Sequence, residues 1–374
     1  MADYSTSSPQ NPAQKKPKIR AVTPTYNRSH FLINQYDQFD AMSRAYNGEA
    51  EWVIIDKSAE PNTYFSDLED NRVVYIHLPT LDRRHLVEHL EELYPELAAC
   101  VLPDAEAVQS KVGYLKALKE QAPEKYPPMI KEPENWNELS LGEQRNMSLA
   151  LRTDGPRADL VVSLDDDDFY GPEYLNWVEG QLQNHDFIRQ GDLFMYIQDC
   201  KGWVLYEFDS NSSTHKIKST GELIETILPE EVRRRQAEGT FSREGFGFGL
   251  GFAYRMNIID DIIAEGETVF PPISLYEDGF MLAGLEDRGA DIHFPKSANP
   301  LVCRIMHSRM VGPDQQNISA TTRMHTRFDK NQIRSLYPDM HEGVMSLVKH
   351  TNNSNPVNDH AAATQRSLDG RTHA

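Results

Sequence analysis

Four consecutive aspartates, Asp165 to Asp168, follow the apolar run LVVSL at 160–164. Two carboxylates about 4 Å apart repel by roughly 4 kcal/mol at an effective dielectric near 20, so such a cluster needs solvent, protonation or a cation. A solvated loop is one reading. The abutting Val and Leu residues favour another, because they set the acids at the carboxyl end of a buried strand, where open α/β sheets bind ligands. A calcium loop of the EF-hand type fails on register: counted from Asp165 the glycine position holds Tyr170, and counted from Asp166 the last ligand position holds Trp177 instead of Glu. What remains is a hard divalent cation, Mg2+ or Mn2+, held by one or two carboxylates and shared with a ligand that carries its own phosphates.

Other residues with usable chemistry are scattered along the chain. They are the stretch TPTYNR at 23–28, Asp56 in VIIDKS, Arg145 in LGEQRN, the acidic pair Glu277 and Asp278 in YEDGF, and His307 in CRIMHSRMVGPDQQNIS. The glycine-rich GFGFGLGFAYR at 245–255 lacks the Lys-Ser/Thr ending of a phosphate loop, which excludes a nucleoside-triphosphatase of that type.

To bring these residues together the chain must fold as alternating strands and helices. The runs IRAVTPTYN (19–27), EWVIIDKS (51–58), RVVYIHLP (72–79) and DLVVSLD (159–165) are rich in Val and Ile and end in polar residues, as buried strands of a parallel or mixed sheet do. Ser140 with Glu143 makes a capping box that starts a helix ending at Asp154-Gly155. Ser274 with Glu277 repeats that pattern, and Gly289 closes the second helix. Pro172 opens a third, with Leu175, Val178 and Leu182 at helical spacing. Residues 81–139 do not fit a minimal α/β domain. Leu86, Leu90, Leu93 and Leu97, then Val108, Val112 and Leu115, predict an inserted helical hairpin, followed by a proline-rich loop. The Ser-, Pro- and Gln-rich residues 1–17 and the polar residues 346–374 are expected to be disordered tails around one domain at 18–345.

The net charge is 38 − 57 = −19, which argues against tracking along nucleic acid or an anionic membrane. Cys100, Cys200 and Cys303 form no disulfide framework and no zinc spacing. No window reaches the eighteen or so apolar residues of a membrane span, and no signal peptide opens the chain, so a cytoplasmic protein is expected.

The motifs VTPTYNR, VIIDKS, LGEQRNMSLAL, LVVSLDDDDF and YEDGFMLAGLEDRG come in the order found in glycosyltransferases of the GT-A fold, and the chain most resembles the family 2 type that uses nucleotide-diphosphate sugars. The resemblance covers about residues 18–320 without the insert. It implies an α/β fold, a Rossmann-like mixed sheet flanked by helices, with the helical hairpin inserted. It further implies that Thr23, Pro24, Tyr26 and Arg28 surround the nucleotide base, with Tyr26 stacking on it. Asp56 would accept from the base, and Arg145 would lie near the base or diphosphate. The family's Asp-x-Asp-Asp pattern falls on Asp165, Asp167 and Asp168. Asp165 and Asp166 would border the donor, Asp167 would bind Mn2+ or Mg2+, and His307 would complete the metal site from a late loop. Asp278 matches the catalytic base of an inverting transfer, with a UDP-sugar the favoured donor and a saccharide or other hydroxyl-bearing molecule the acceptor. The second strand ends in DKSAEP where Asp-Asp-Gly-Ser is commoner, which leaves base recognition open. Two rival readings are a nucleotidyltransferase of related fold, against which the absence of a Gly-rich Arg loop after the first strand counts, and a catalytically idle nucleotide- or glycan-binding module. A modified DNA base as acceptor is disfavoured by the negative charge and not excluded.

Overall fold

The computed structural model describes residues 15–78, 83–101, 105–121, 139–153, 155–198, 201–207, 214–228, 230–231, 234, 250–265, 267–274, 276–295, 301–306 and 326–353. The strands in chain order are β1 (Ile19–Thr25), β2 (Ala50–Asp56), β3 (Val73–His77), β4 (Leu160–Ser163), β5 (Phe169–Tyr170), β6 (Phe187–Arg189), β7 (Asp192–Ile197), β8 (Gly202–Glu207), β9 (Thr214–Ile217), β10 (Leu223–Ile227), β11 (Phe252–Arg255), β12 (Ile292–His293), β13 (Val302–Met306) and β14 (Thr326–Phe328). The helices are α1 (Ser29–Tyr46), α2 (Thr63–Ser66), α3 (Arg83–Leu93), α4 (Pro95–Ala98), α5 (Ala105–Gln121), α6 (Leu141–Ala150), α7 (Tyr174–Leu182), α8 (Asn257–Ala264), α9 (Glu277–Asp287), α10 (Lys330–Leu336) and α11 (Pro338–Asn353).

The main sheet has the order β12-β6-β11-β4-β1-β2-β3. β1 lies parallel between β2 and β4, β3 extends the parallel run, and β11 is antiparallel to both β4 and β6. This is a mixed, helix-flanked sheet of Rossmann-like α/β type with extra helical elements. Every residue of β1, β2 and β4 is buried, the Val- and Ile-rich positions as core and the charged Arg20 and Glu51 as an ion pair at 2.6 Å. The parallel register points the ends of β1, β2 and β4 to one edge, where Thr25, Asp56 and Asp165 emerge. A second sheet, β14-β8-β7-β13-β5, packs under α10 and α11 around Phe194, Trp203, Cys303 and Val344.

The helix at 140–150 starts as expected. Ser140 Oγ accepts from Glu143 N (3.2 Å), and the Glu143 carboxylate accepts from Ser140 N (2.7 Å). It ends at Ala150, before the expected Asp154-Gly155. Leu175, Val178 and Leu182 all face the core from α7.

The helices between 81 and 139 pack on the rest of the fold in two separate cores. Leu86 and Leu90 of α3 and Leu97 of α4 share one core with Val53 and Ile55 of β2, Ile76 of β3 and Met147 of α6. Leu93 is an exception to the predicted stripe. It is 53% exposed, because the helix stops there and Pro95 opens a new one. Val112 and Leu115 of α5 pack on Ile273, Phe280 and Ala283, beside α9. The side chain of Val108, the loop 122–138 and residues 1–14 and 354–374 lie outside the described residues. The C-terminal boundary expected at 345 falls inside α11, which runs on to Asn353 because Leu347 and Val348 continue its buried face. Among the described residues no helix is long and apolar enough to cross a membrane.

Candidate active site

The four aspartates lie at the carboxyl edge of the main sheet and are largely buried, and each is held differently. Asp166 Oδ2 accepts from Thr25 Oγ1 at 2.6 Å, at the end of β1. Its Oδ1 accepts from Arg28 Nη1 at 2.9 Å, and the same nitrogen donates to Asp167 Oδ2 at 2.7 Å. Asp168 turns away toward the second sheet, where Oδ1 accepts from Ile305 N (3.0 Å). Asp165 faces Arg145 Nη2 at 3.4 Å, and its backbone N–H donates to the Tyr170 hydroxyl at 2.9 Å. Fixed guanidinium groups therefore offset the cluster's repulsion before any ligand arrives.

Burial sets the protonation behaviour. It raises the pKa of Asp166 to about 6, against the pull of Arg28, and lifts Asp165 against the pull of Arg145. Asp168 is pushed well above the usual carboxylate range by burial and by Asp167. Burial also works against the Arg28 charge, but Asp167 and Asp166 outweigh it and hold that guanidinium above its ordinary value.

Arg145, 3% exposed, joins two parts of the site. From α6 its Nε approaches Glu277 Oε1 at 3.3 Å, while Nη1 donates to Ser163 Oγ and Nη2 faces Asp165. Its guanidinium lies over the rings of Phe252 (5.3 Å) and Phe270 (5.8 Å). Glu277 is buried, and burial together with Asp278 brings its pKa to about 8 despite Arg145. Asp278, half-buried in the first turn of α9, accepts from Gly279 N at 2.7 Å and is raised by burial, with Arg145 opposing.

The capping box expected of Ser274 and Glu277 does not form. Ser274 Oγ instead accepts from Leu141 N of α6 (3.2 Å), and α9 starts after Tyr276, whose φ of 65° is left-handed. With Ser274 as the cap, Tyr276 would be the second residue of the helix, and a left-handed residue does not fit that right-handed turn. The Glu277 side chain is thus released to meet Arg145.

The remaining expected residues fall into four groups. Thr23 and Pro24 are interior to β1, and Thr23 Oγ1 donates to Leu164 O (2.7 Å) and accepts from Trp52 Nε1 (2.8 Å). Tyr26 is 45% exposed at the mouth of the site, with Lys57 Nζ 4.8 Å from its ring centroid. Asp56 stands at the end of β2 but is fully buried. Its Oδ1 accepts from Ser58 N (2.8 Å) and Ser58 Oγ (2.5 Å), and its Oδ2 from the Tyr75 hydroxyl (2.7 Å). His307 lies outside the described residues. Motif reading gave Thr25, Ser58 and Tyr75 no role of their own and gave Glu277 that of a helix cap, and no local signal marks Tyr75.

Carboxylate oxygens suit Mg2+ or Mn2+. Asp165, its side chain 24% exposed, and Asp167, 10% exposed, supply two such donors. Among the described residues no group of three or more His, Cys, Asp or Glu side chains could hold a metal ion. Two carboxylates are the number of protein ligands that Mg2+ takes where substrate phosphates and water supply the rest.

No protein-family model matches the chain, and no curated protein does. Solved structures similar to it include glucosyl-3-phosphoglycerate synthase from Mycobacterium tuberculosis in complex with Mn2+ and UDP-glucose, at 15% identity and a TM-score of 0.36, covering 82% of this chain and 76% of that one. The same enzyme with Mn2+, UDP and phosphoglyceric acid matches at 13% identity and a TM-score of 0.34, over 89% and 78% of the two chains. A mycobacterial protein matches at 14% identity and a TM-score of 0.34, over 82% and 72%. At these values the likeness carries no argument about this chain.

Proposed function

We propose that this protein is a glycosyltransferase that uses a nucleotide-diphosphate sugar, a UDP-sugar in the favoured case, and inverts the anomeric centre. One observation carries the reading. Arg145 connects Asp165 of the acid cluster to Glu277, which brings the half-buried Asp278 close to the cluster.

In this reading Tyr26 stacks on the base, and Arg28 and Arg145 face the diphosphate. Thr23, Pro24 and Asp56 shape the floor of the base pocket, Asp56 through Ser58 and Tyr75. Asp165, Asp166 and Asp167 border the donor, and Asp167, with Asp165, holds Mn2+ or Mg2+. When bound, the cation offsets negative charge on the departing diphosphate. Asp278 takes the proton of the acceptor hydroxyl as that oxygen bonds to the anomeric carbon. The bond from the anomeric carbon to the diphosphate oxygen breaks with both electrons leaving on the diphosphate. A carboxylate whose pKa burial has raised is the stronger base for that step. The acceptor is a saccharide or another hydroxyl-bearing molecule, and the charge of −19 disfavours nucleic acid in that role.

Calorimetric titration with UDP and UDP-glucose, with and without Mn2+, tests the proposal. Binding is expected to need the cation, and in Asp167→Asn to weaken and no longer respond to it. An Asp167→Asn protein with unchanged cation-dependent affinity would sink the assignment.

A further inference from the structure

The acid cluster carries a counter-ion of its own in the place where a divalent cation would be expected. Arg28 Nη1 donates to Asp166 Oδ1 (2.9 Å) and to Asp167 Oδ2 (2.7 Å), bridging two carboxylates with one nitrogen. Thr25 Oγ1 holds the other oxygen of Asp166 at 2.6 Å, so Asp166 is an anchor for the arginine. The turn that presents Arg28 is also fixed. Asn27 has a left-handed φ of 54°, its N–H donates to Ser58 Oγ (2.7 Å), and Ser58 is bound by the buried Asp56. The second-strand acid thereby positions the arginine of the first turn.

We infer that Arg28 competes with a divalent cation for Asp167, and that the diphosphate of the donor, more than the cation, releases it. The inference rests on the reading of this edge as a site shared by a cation and a nucleoside diphosphate. A guanidinium stays charged at any accessible pH, so the competition does not fade with titration. A cation arriving alone must break the Arg28–Asp167 ion pair and then sit beside the displaced positive charge. A diphosphate changes both conditions, because its oxygens are as good a partner for a guanidinium as a carboxylate is and also bind the cation. Cation and nucleotide should then bind with positive coupling, and by linkage each raises the affinity for the other by the same factor.

Free Mn2+ followed by electron paramagnetic resonance, with and without saturating UDP, tests this in the wild type, Arg28→Gln and Asp167→Asn. In the wild type UDP is expected to raise Mn2+ affinity by at least about tenfold, inside the roughly 5- to 150-fold range of ordinary site-to-site coupling. Arg28→Gln is expected to bind Mn2+ alone about tenfold more tightly than the wild type, with the coupling to UDP reduced by a similar factor. If Arg28→Gln binds Mn2+ alone no better than the wild type, while Asp167→Asn abolishes binding, the competition is refuted and the metal site stands. If the wild type binds no Mn2+ with UDP present, the reading of the site falls with it. Should Arg28→Gln not fold, the wild type decides: equal Mn2+ affinity with and without UDP overturns the inference.

Discussion

Arg145→Met keeps the length of the side chain and its contact with Phe252 and Phe270 but removes the charge that faces Asp165 at 3.4 Å and Glu277 at 3.3 Å. Removing one partner of a buried ion pair costs about 3–5 kcal/mol, because the other charge is left without compensation. The size of the loss should depend on pH in a particular way. Glu277 has a folded pKa of about 8 against 4.5 for the free side chain, so the native state keeps a proton that the unfolded chain releases. Stability from this group is therefore greatest below pH 4.5, falls as pH rises, and levels off above about 8. Without Arg145 the folded pKa of Glu277 is higher still. Between those two values both proteins lose stability in parallel, and above about 8 the wild type levels while the variant keeps falling.

The expected penalty is thus about 3 kcal/mol below pH 8 and widens above it at a rate of at most ~1.4 kcal/mol per pH unit. Urea unfolding at pH 6, 7, 8.5 and 9.5, followed by tryptophan fluorescence, measures it. A penalty below about 1 kcal/mol that stays flat across this range would refute the reasoning, since it would mean that solvent, not Arg145, compensates these acids.

Two further outcomes follow from the same geometry. Asp278→Asn should lower turnover by about 10²- to 10⁴-fold while cation-dependent nucleotide affinity and melting temperature hold, and unchanged turnover would move the base to another acid. Glu51, whose pKa burial would raise, is held below its usual range by Lys18 (2.6 Å), Arg20 (2.6 Å) and Thr153 (2.9 Å). It therefore stabilises the fold above pH 4.5, and that stability is lost as pH falls through the lowered value, so Glu51→Gln should cost about 3 kcal/mol at pH 7 and far less at pH 3 in urea unfolding.

The main sheet was legible because its strands obey a simple rule. Strands covered by helices are rich in Val and Ile, and β1, β2, β3 and β4 fall within one or two residues of the runs that predict them, even though Arg20 and Glu51 are buried among them as an ion pair. The antiparallel strand β11 was less visible, since four residues between a glycine-rich segment and a helix carry little pattern. The second sheet was not foreseen at all. Its strands β7, β8 and β13 mix Tyr, Trp, Met and Arg with aliphatic residues, and although β7 and β8 form a local hairpin, β13 joins β7 from more than a hundred positions away. In the same way the leucines of α3 were identified as a buried face, but the sequence has no mark for what lies opposite, which is β2 and β3.

The site separates these two kinds of information more sharply. Ser-x-x-Glu occurs at Ser140 and at Ser274, and the local chemistry of the two patterns is identical. The first closes into a capping box, whereas the second is opened by a partner 133 positions away, when Leu141 N–H takes Ser274 Oγ and leaves Glu277 to Arg145. Local propensity predicts the box in both places, and a hydrogen bond across the fold reverses it in one. Asp56 is the same case in another form: the acid stands at the strand end where the pattern puts it, yet Tyr75 from the neighbouring strand and Ser58 take its oxygens. Motifs thus locate the edge of the sheet where chemistry can occur, while the partner across the fold decides which oxygen meets a ligand and which one holds the residue that does.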